Sequence, residues 1–241
     1  MIARPDYSVG IVGHGFVGQA IERLFGKAVI FDPAKRLSVR ADINACRFAF
    51  VCVPTPVGPG GRCDTSIVEE SVAWIESPII VIRSTVAPGT TDRLRQQTGK
   101  RIIFQPEYIG ETAAHPLLDH QMQGFAVLGG PIEDASPVAD LYKRLFHSSI
   151  RFYFCSALCA EVTKYMENAF YATKVAFCNE FFDIARSFGV DYNELRETWL
   201  AEAHAALERV LEAVARWDER YGGLADPHLR ALTAHAERET T

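Results

Sequence analysis

Lys164 and Asn168 stand four positions apart in a stretch of helical pattern, so an amine and an amide share one face, one turn apart. Glu161 lies near that face. Such a pair can hold an alcohol and stabilise the alkoxide that forms as hydride departs, with carboxylates opposite to handle the proton. Two carboxylates, Glu107 and Glu111, fall on one short segment, Gln105-Pro106-Glu107-Tyr108-Ile109-Gly110-Glu111. Hydroxyl donors cluster in Ser84-Thr85-Val86-Ala87-Pro88-Gly89-Thr90, and Val53-Pro54-Thr55-Pro56 adds another threonine between prolines that fix the chain direction. The plain alternatives are a solvated polar pair with a helix cap, and two ordinary turns. Against the first, Val162, Tyr165, Met166, Ala169, Phe170 and Tyr171 make this part of the helix strongly apolar.

A departing hydride needs an acceptor, and the N-terminal segment offers a place for one. Gly13-His14-Gly15-Phe16-Val17-Gly18 has the G-x-G-x-x-G spacing directly after an apolar run and at the start of a helical pattern. Gly13 permits the tight turn, Gly15 lets the backbone approach a pyrophosphate, and Gly18 lets helix and strand pack closely. Phe16 and Val17 then lie in the first turn, where free amides and the helix dipole face phosphate charge. Asp32 ends the next apolar run about 20 residues on, where an acid accepts hydrogen bonds from the adenosine ribose and repels a 2′-phosphate. That favours NAD over NADP, although Lys35 and Arg36 follow closely and soften the repulsion. The competing reading is that Asp32-Pro33 only starts a turn.

The elements that must position these groups read as alternating strands and helices. Ser8 to Val12, Ala28 to Phe31, Phe48 to Val53, Ile79 to Ile82, Ile102 to Phe104 and Phe125 to Leu128 are short runs rich in Val, Ile and Phe, the pattern of buried strands. Helical periodicity lies between them, as in Phe16 to Leu24 and Thr90 to Gln97. The fold expected is α/β, a Rossmann-like, doubly wound and mostly parallel sheet, followed by a long central helix and a helical C-terminal tail. Ala157 to Phe188 reads as that one long helix, roughly 45 Å at the usual rise and stopped by Gly189. Asp191, with Glu194 three residues later, starts the next helix. The expected divisions are residues 1–155 for the dinucleotide domain, 156–200 for the long-helix region and 201–241 for the tail.

Composition narrows the function classes. The 241 residues carry 30 acidic and 25 basic side chains, a net charge of -5, which argues against a nucleic-acid or anionic-membrane surface. No stretch of 18 apolar residues spans a bilayer and no secretory signal opens the chain. Six cysteines lie scattered through apolar runs without C-x-x-C spacing, consistent with buried thiols in a reducing cytoplasm rather than a disulfide framework or a metal site.

Taken in order, these motifs, together with Val51-Cys52, Thr91, Glu161 and Asn179-Glu180, resemble the UDP-glucose/GDP-mannose dehydrogenase family, most closely its UDP-glucose 6-dehydrogenase branch. The resemblance implies two successive NAD-dependent oxidations of a sugar C6 alcohol to a carboxylate through a cysteine-bound intermediate. The partner implied is a nucleotide sugar such as UDP-glucose, and the long helix implies a homodimer. By resemblance Thr85 positions water and substrate, Glu107 lies near the catalytic lysine, and Glu111 is a base for thioester hydrolysis. Lys164 and Asn168 stabilise the oxyanion, Asp32 binds ribose, and Gly13, Gly15 and Gly18 form the phosphate loop.

After Glu197-Thr198-Trp199-Leu200 the family pattern stops. Its glycine-rich cysteine segment and its C-terminal nucleotide-sugar domain have no counterpart, and no cysteine follows Cys178. A chain without that thiol cannot form the thiohemiacetal and thioester of the second oxidation. The expected activity is therefore a two-electron alcohol oxidation, with Lys164 as base. The alternatives are a non-catalytic NAD-binding protein derived from the family, and one half of a split enzyme. In the tail, Leu200, Ala203, Leu207, Val210, Val214, Trp217 and Tyr221 form a heptad seam, either the buried face of an amphipathic helix or a second oligomerisation surface.

Overall fold

The structure, a computed structural model, describes residues 8–108, 124–145 and 150–201. Glu111 and the heptad seam beyond Leu200 lie outside these residues. The chain divides into two compact units, Met1–Ala169 and Phe170–Thr241.

The first unit is built on a seven-stranded sheet in the order β2-β1-β3-β4-β5-β6-β7. Its strands are β1 (Val9–Val12), β2 (Val29–Phe31), β3 (Phe48–Val51), β4 (Ile79–Ile82), β5 (Ile102–Phe104), β6 (Phe125–Gly129) and β7 (Arg151–Cys155). The helices between them are α1 (Phe16–Phe25), α2 (Arg40–Asn44), α3 (Ser66–Trp74), α4 (Thr90–Thr98) and α5 (Ile132–Lys143), and α6 (Ala157–Phe188) follows β7. Neighbours among β1 to β5 pair in parallel. β6 meets β5 antiparallel at Phe104↔Gly129, and β7 runs parallel to β6. This is the expected mostly parallel, doubly wound sheet, and α6 covers the residues expected of the long helix. β7 is an addition to the six expected strands; its run Phe152-Tyr153-Phe154-Cys155 is apolar, and Arg151 and Phe154 are exposed.

Both sheet faces are covered, which is why the central strands read as unbroken apolar runs. Phe48, Phe50, Ile79 and Val81 join one core cluster with Ile21 of α1 and Val138 of α5. Ala49, Val51, Ile80 and Ile82 point the other way, into a cluster with Val68 of α3, Leu94 of α4 and Ala160 of α6. Period-two alternation in a fully buried strand thus supplies two cores at once.

The strand order fixes where a ligand can sit. The chain leaves β1 for β2 on one side and returns to β3 on the other, so the topological switch point lies between β1 and β3. In open α/β sheets the ligand crevice opens beyond the strands' C-terminal ends at that point. The loops that begin at Gly13 and Cys52 border it.

In the second unit the C-terminal part of α6 ends in a Schellman motif. Gly189 has φ +69°, and Val190 N–H donates to the Ala185 carbonyl at 2.9 Å. Asp191 Oδ1 then accepts from the amides of Asn193 and Glu194 at 2.8 and 3.0 Å, capping a helix over 192–201 as its spacing predicts.

Candidate functional site

Each motif glycine has a physical reason. Gly13 takes φ +90°, and a Cβ there would lie 2.7 Å from the Cys52 carbonyl oxygen. A Cβ on Gly18 would lie 2.1 Å from the Gly13 carbonyl oxygen, so helix and loop touch through bare backbone. Gly15 is the N-cap of α1; it faces open space within 4 Å, and no side chain caps the helix. The amides of the first turn, Phe16 and Val17 among them, are therefore left for an outside acceptor.

Asp32 stands beside this loop. Its Oδ2 accepts from the His14 amide at 2.9 Å, and Oδ1 accepts from the amides of Ala34 and Lys35 at 3.0 and 3.3 Å. Partial burial would raise the carboxyl's pKa, but the three amides and the Lys35 charge outweigh it and hold it below the ordinary range. The carboxylate is thus fixed and ionised where a ribose would arrive. Lys35 Nζ turns back to the His14 carbonyl at 2.5 Å, and His14 Nε2 lies 2.7 Å from Glu22. Open space at Gly15, uncapped amides and an oriented acid together fit a dinucleotide.

The hydroxyls of the next two loops join the loops to each other. Ser84 Oγ donates to the Val53 carbonyl at 2.6 Å, and Thr55 Oγ1 donates to the Thr85 carbonyl at 2.8 Å. What Ser84 and Thr55 retain for a ligand is acceptor capacity. Val53 and Thr85 are half-buried and Pro54 is exposed at this rim.

The reaction-side residues include one that the sequence reading missed. Arg83, 2% exposed, follows β4 and forms an ion pair with Glu107, which follows β5. The pair ties the Ser84-Thr85 loop to the Glu107-Tyr108 loop. Glu107 Oε1 also accepts from the Tyr108 amide at 2.8 Å. The signal was available: a charge placed directly after the apolar run Ile79–Ile82 is buried, and a buried charge requires a partner. Burial also pushes the Cys52 thiol beneath this pair up to about 12, so it stays protonated.

On α6, Lys164 sits 5.2 Å from the Tyr108 ring centroid, so the helix and the β5 loop do meet. Its acidic partner is Glu167, at 3.1 Å, another residue the sequence reading passed over. Asn168 is exposed, and its side chain makes no hydrogen bond to a described residue. Glu161 is placed elsewhere than beside Lys164. Fully buried, it accepts from the amides of Gly89 and Thr91 at 2.6 and 2.9 Å and so caps α4 from another helix. Among the described residues no group of three or more His, Cys, Asp or Glu side chains could hold a metal, and no helix is long and apolar enough to cross a membrane.

Residues 32–147 match the NAD-binding domain of the UDP-glucose/GDP-mannose dehydrogenase family, and residues 159–223 match its central domain. The second match runs beyond Leu200, further than the motif reading followed it. GDP-mannose 6-dehydrogenase of Azotobacter vinelandii is 29% identical over 66% of this chain and 40% of its own length. UDP-N-acetyl-D-mannosamine dehydrogenase of Pyrococcus horikoshii is 29% identical over 68% of this chain and 41% of its own. Among solved structures, a UDP-glucose dehydrogenase from Pyrobaculum islandicum superimposes with a TM-score of 0.65 at 26% identity, covering 82% of this chain and 57% of that one. The chain spans about half the length of the relatives it matches. Its cofactor is NAD. Matched over both domains, the chain belongs to the UDP-glucose/GDP-mannose dehydrogenase family.

Proposed function

We propose that this chain oxidises the C6 alcohol of a nucleotide sugar, with UDP-glucose the first substrate to try. The observation that carries the reading is the meeting of Lys164 with Tyr108 on the loop after β5, on the same sheet rim as the dinucleotide crevice. Gly13, Gly15 and Gly18 with the first turn of α1 would hold the NAD pyrophosphate, and Asp32 the adenosine ribose. Bound there, NAD supplies a hydride acceptor. Lys164 receives the proton of the alcohol or stabilises the developing alkoxide, Asn168 donates to the same oxygen, and Thr85 orients the substrate from the opposite loop. Glu107 and Glu111 supply carboxylates on the β5 loop.

The second oxidation needs a thiol nucleophile, which would come from outside residues 1–241. A second reading is one half of a split enzyme, in which another chain carries that nucleophile. Exposed Phe170, Val175 and Phe188 on α6, at 61%, 60% and 80%, support a homodimer through that helix. Six free thiols fit a cytoplasmic location.

Incubation with NAD and, in turn, UDP-glucose, GDP-mannose and UDP-N-acetylmannosamine, followed by NADH absorbance and product mass, tests the activity. NADH and a two-electron product are expected from one of them. NAD binding without turnover of any sugar refutes the enzyme reading for the chain alone, and co-purification of a chain carrying the cysteine segment favours the split form.

A further inference from the structure

Two glutamates bear on the place where Lys164 meets Tyr108, and they are placed differently. Glu107 commits Oε2 to buried Arg83 and Oε1 to the Tyr108 amide. Glu167 turns its Oε2 to Lys164 Nζ at 3.1 Å, and the two side chains are only 23% and 13% exposed. An ion pair one helical turn apart contributes little when both ends are solvated. This one is shielded, and an aromatic ring lies beneath the cation. Burial first, and then the Glu167 charge, raise the Tyr108 hydroxyl well above the usual phenol range, so the Glu167 carboxylate acts on Tyr108 as well as on Lys164. The remaining charged or titratable groups that bear on Tyr108 are Arg83 and Glu107 behind it and Cys155 at the end of β7.

We propose that Glu167 is the residue that positions Lys164, holding its amine above the Tyr108 ring, while Glu107 serves by fixing the loop underneath. The inference deepens the proposed oxidation and rests on Lys164 acting at the alcohol. Glu167 touches no reacting atom and acts through Lys164.

The test does not require turnover. Lys164 is acylated with a small amine-directed reagent at one fixed pH, and the labelling rate is quantified by mass spectrometry. Glu167 restrains the amine over the ring, so Lys164 in E167Q is labelled about three times faster than in wild type. E167D restores most of the wild-type rate, and D140N, at the exposed Lys143–Asp140 pair, leaves Lys164 unchanged. A wild-type labelling rate in E167Q overturns the proposal whether or not the chain oxidises any sugar. A raised rate in a protein that turns over no sugar upholds the placement and refutes the proposed activity instead. Where turnover is measured, E167Q lowers kcat about tenfold, a loss of about 1.4 kcal/mol of transition-state stabilisation, and leaves the KM for NAD unchanged; an unmoved kcat counts against the positioning role.

Discussion

A carboxylate whose two oxygens already accept three backbone amides is fixed before any ligand reaches it, and Asp32 is in that state. The ribose proposed for this position would meet a carboxylate already ordered, so binding would cost little side-chain entropy. Replacing Asp32 by Ala should weaken NADH binding at least about tenfold, the loss of a charged hydrogen-bonding partner, and should reduce the preference over NADPH. Fluorescence titration with both cofactors measures this, and unchanged NADH affinity would remove Asp32 from the site. At this scale the sequence was most legible where backbone geometry dictates the residue. Gly13 and Gly18 could be assigned their packing roles because a Cβ at either has nowhere to go. Arg83 was harder to read because its partner is an acid 24 positions away; Glu167 pairs three positions along its own helix, but the Tyr108 ring beside its partner Lys164 comes from a loop that only the fold brings near.

Among the elements, α6 was readable residue for residue, since a single helical period runs unbroken to Gly189. What α6 does to other elements was not readable. Glu161 lies on the face that also carries Lys164 and was grouped with it, yet its carboxylate satisfies the amides of Gly89 and Thr91, 72 and 70 positions away. Gly89 has no side chain to cap α4, so the cap is supplied from another helix, and an acid there also meets the positive end of the α4 dipole. E161Q should retain part of the cap, whereas E161A should cost about 1–2 kcal/mol in urea denaturation. Equal stability of E161A and wild type would contradict the capping role. Pro137 of α5 shows the same dependence on distant partners. Lacking an N–H, it leaves the Glu133 carbonyl unused within the helix, and Arg101 donates to that oxygen at 2.8 Å. Sequence period reports which face is buried and does not report what is buried against it.

For the molecule as a whole, a buried carboxylate that bears on acid stability is Asp134, 2% exposed and held by Arg95 at 2.7 Å and Arg101 at 2.5 Å. Burial alone would raise its pKa, but the hydrogen bonds and charges of Arg101 and Arg95 outweigh that and depress it. A depressed native pKa means that the contribution is complete above the unfolded value, about 3.9, and is lost as pH falls through the native one. Asp32 and Glu69 shift in the same direction, so thermal stability should fall as pH drops below about 4, and less steeply in D134N. A Tm series from pH 7 to 3 measures it; identical slopes for the two proteins would exclude Asp134 as a contributor. The location of Asp134 gives the β5–β6 junction a consequence of its own. Backbone pairing crosses that junction at Phe104↔Gly129, and side chains supply the rest: Arg95 and Arg101 to Asp134, and the Tyr142 hydroxyl to Gln105 at 2.9 Å. A seam joined by side chains can open sub-globally while the parallel ladders on either side stay closed. Amide hydrogens of β6, α5 and β7 should therefore exchange together as one cooperative block, ahead of those in β1, β3 and β4, and D134N should speed exchange in that block alone.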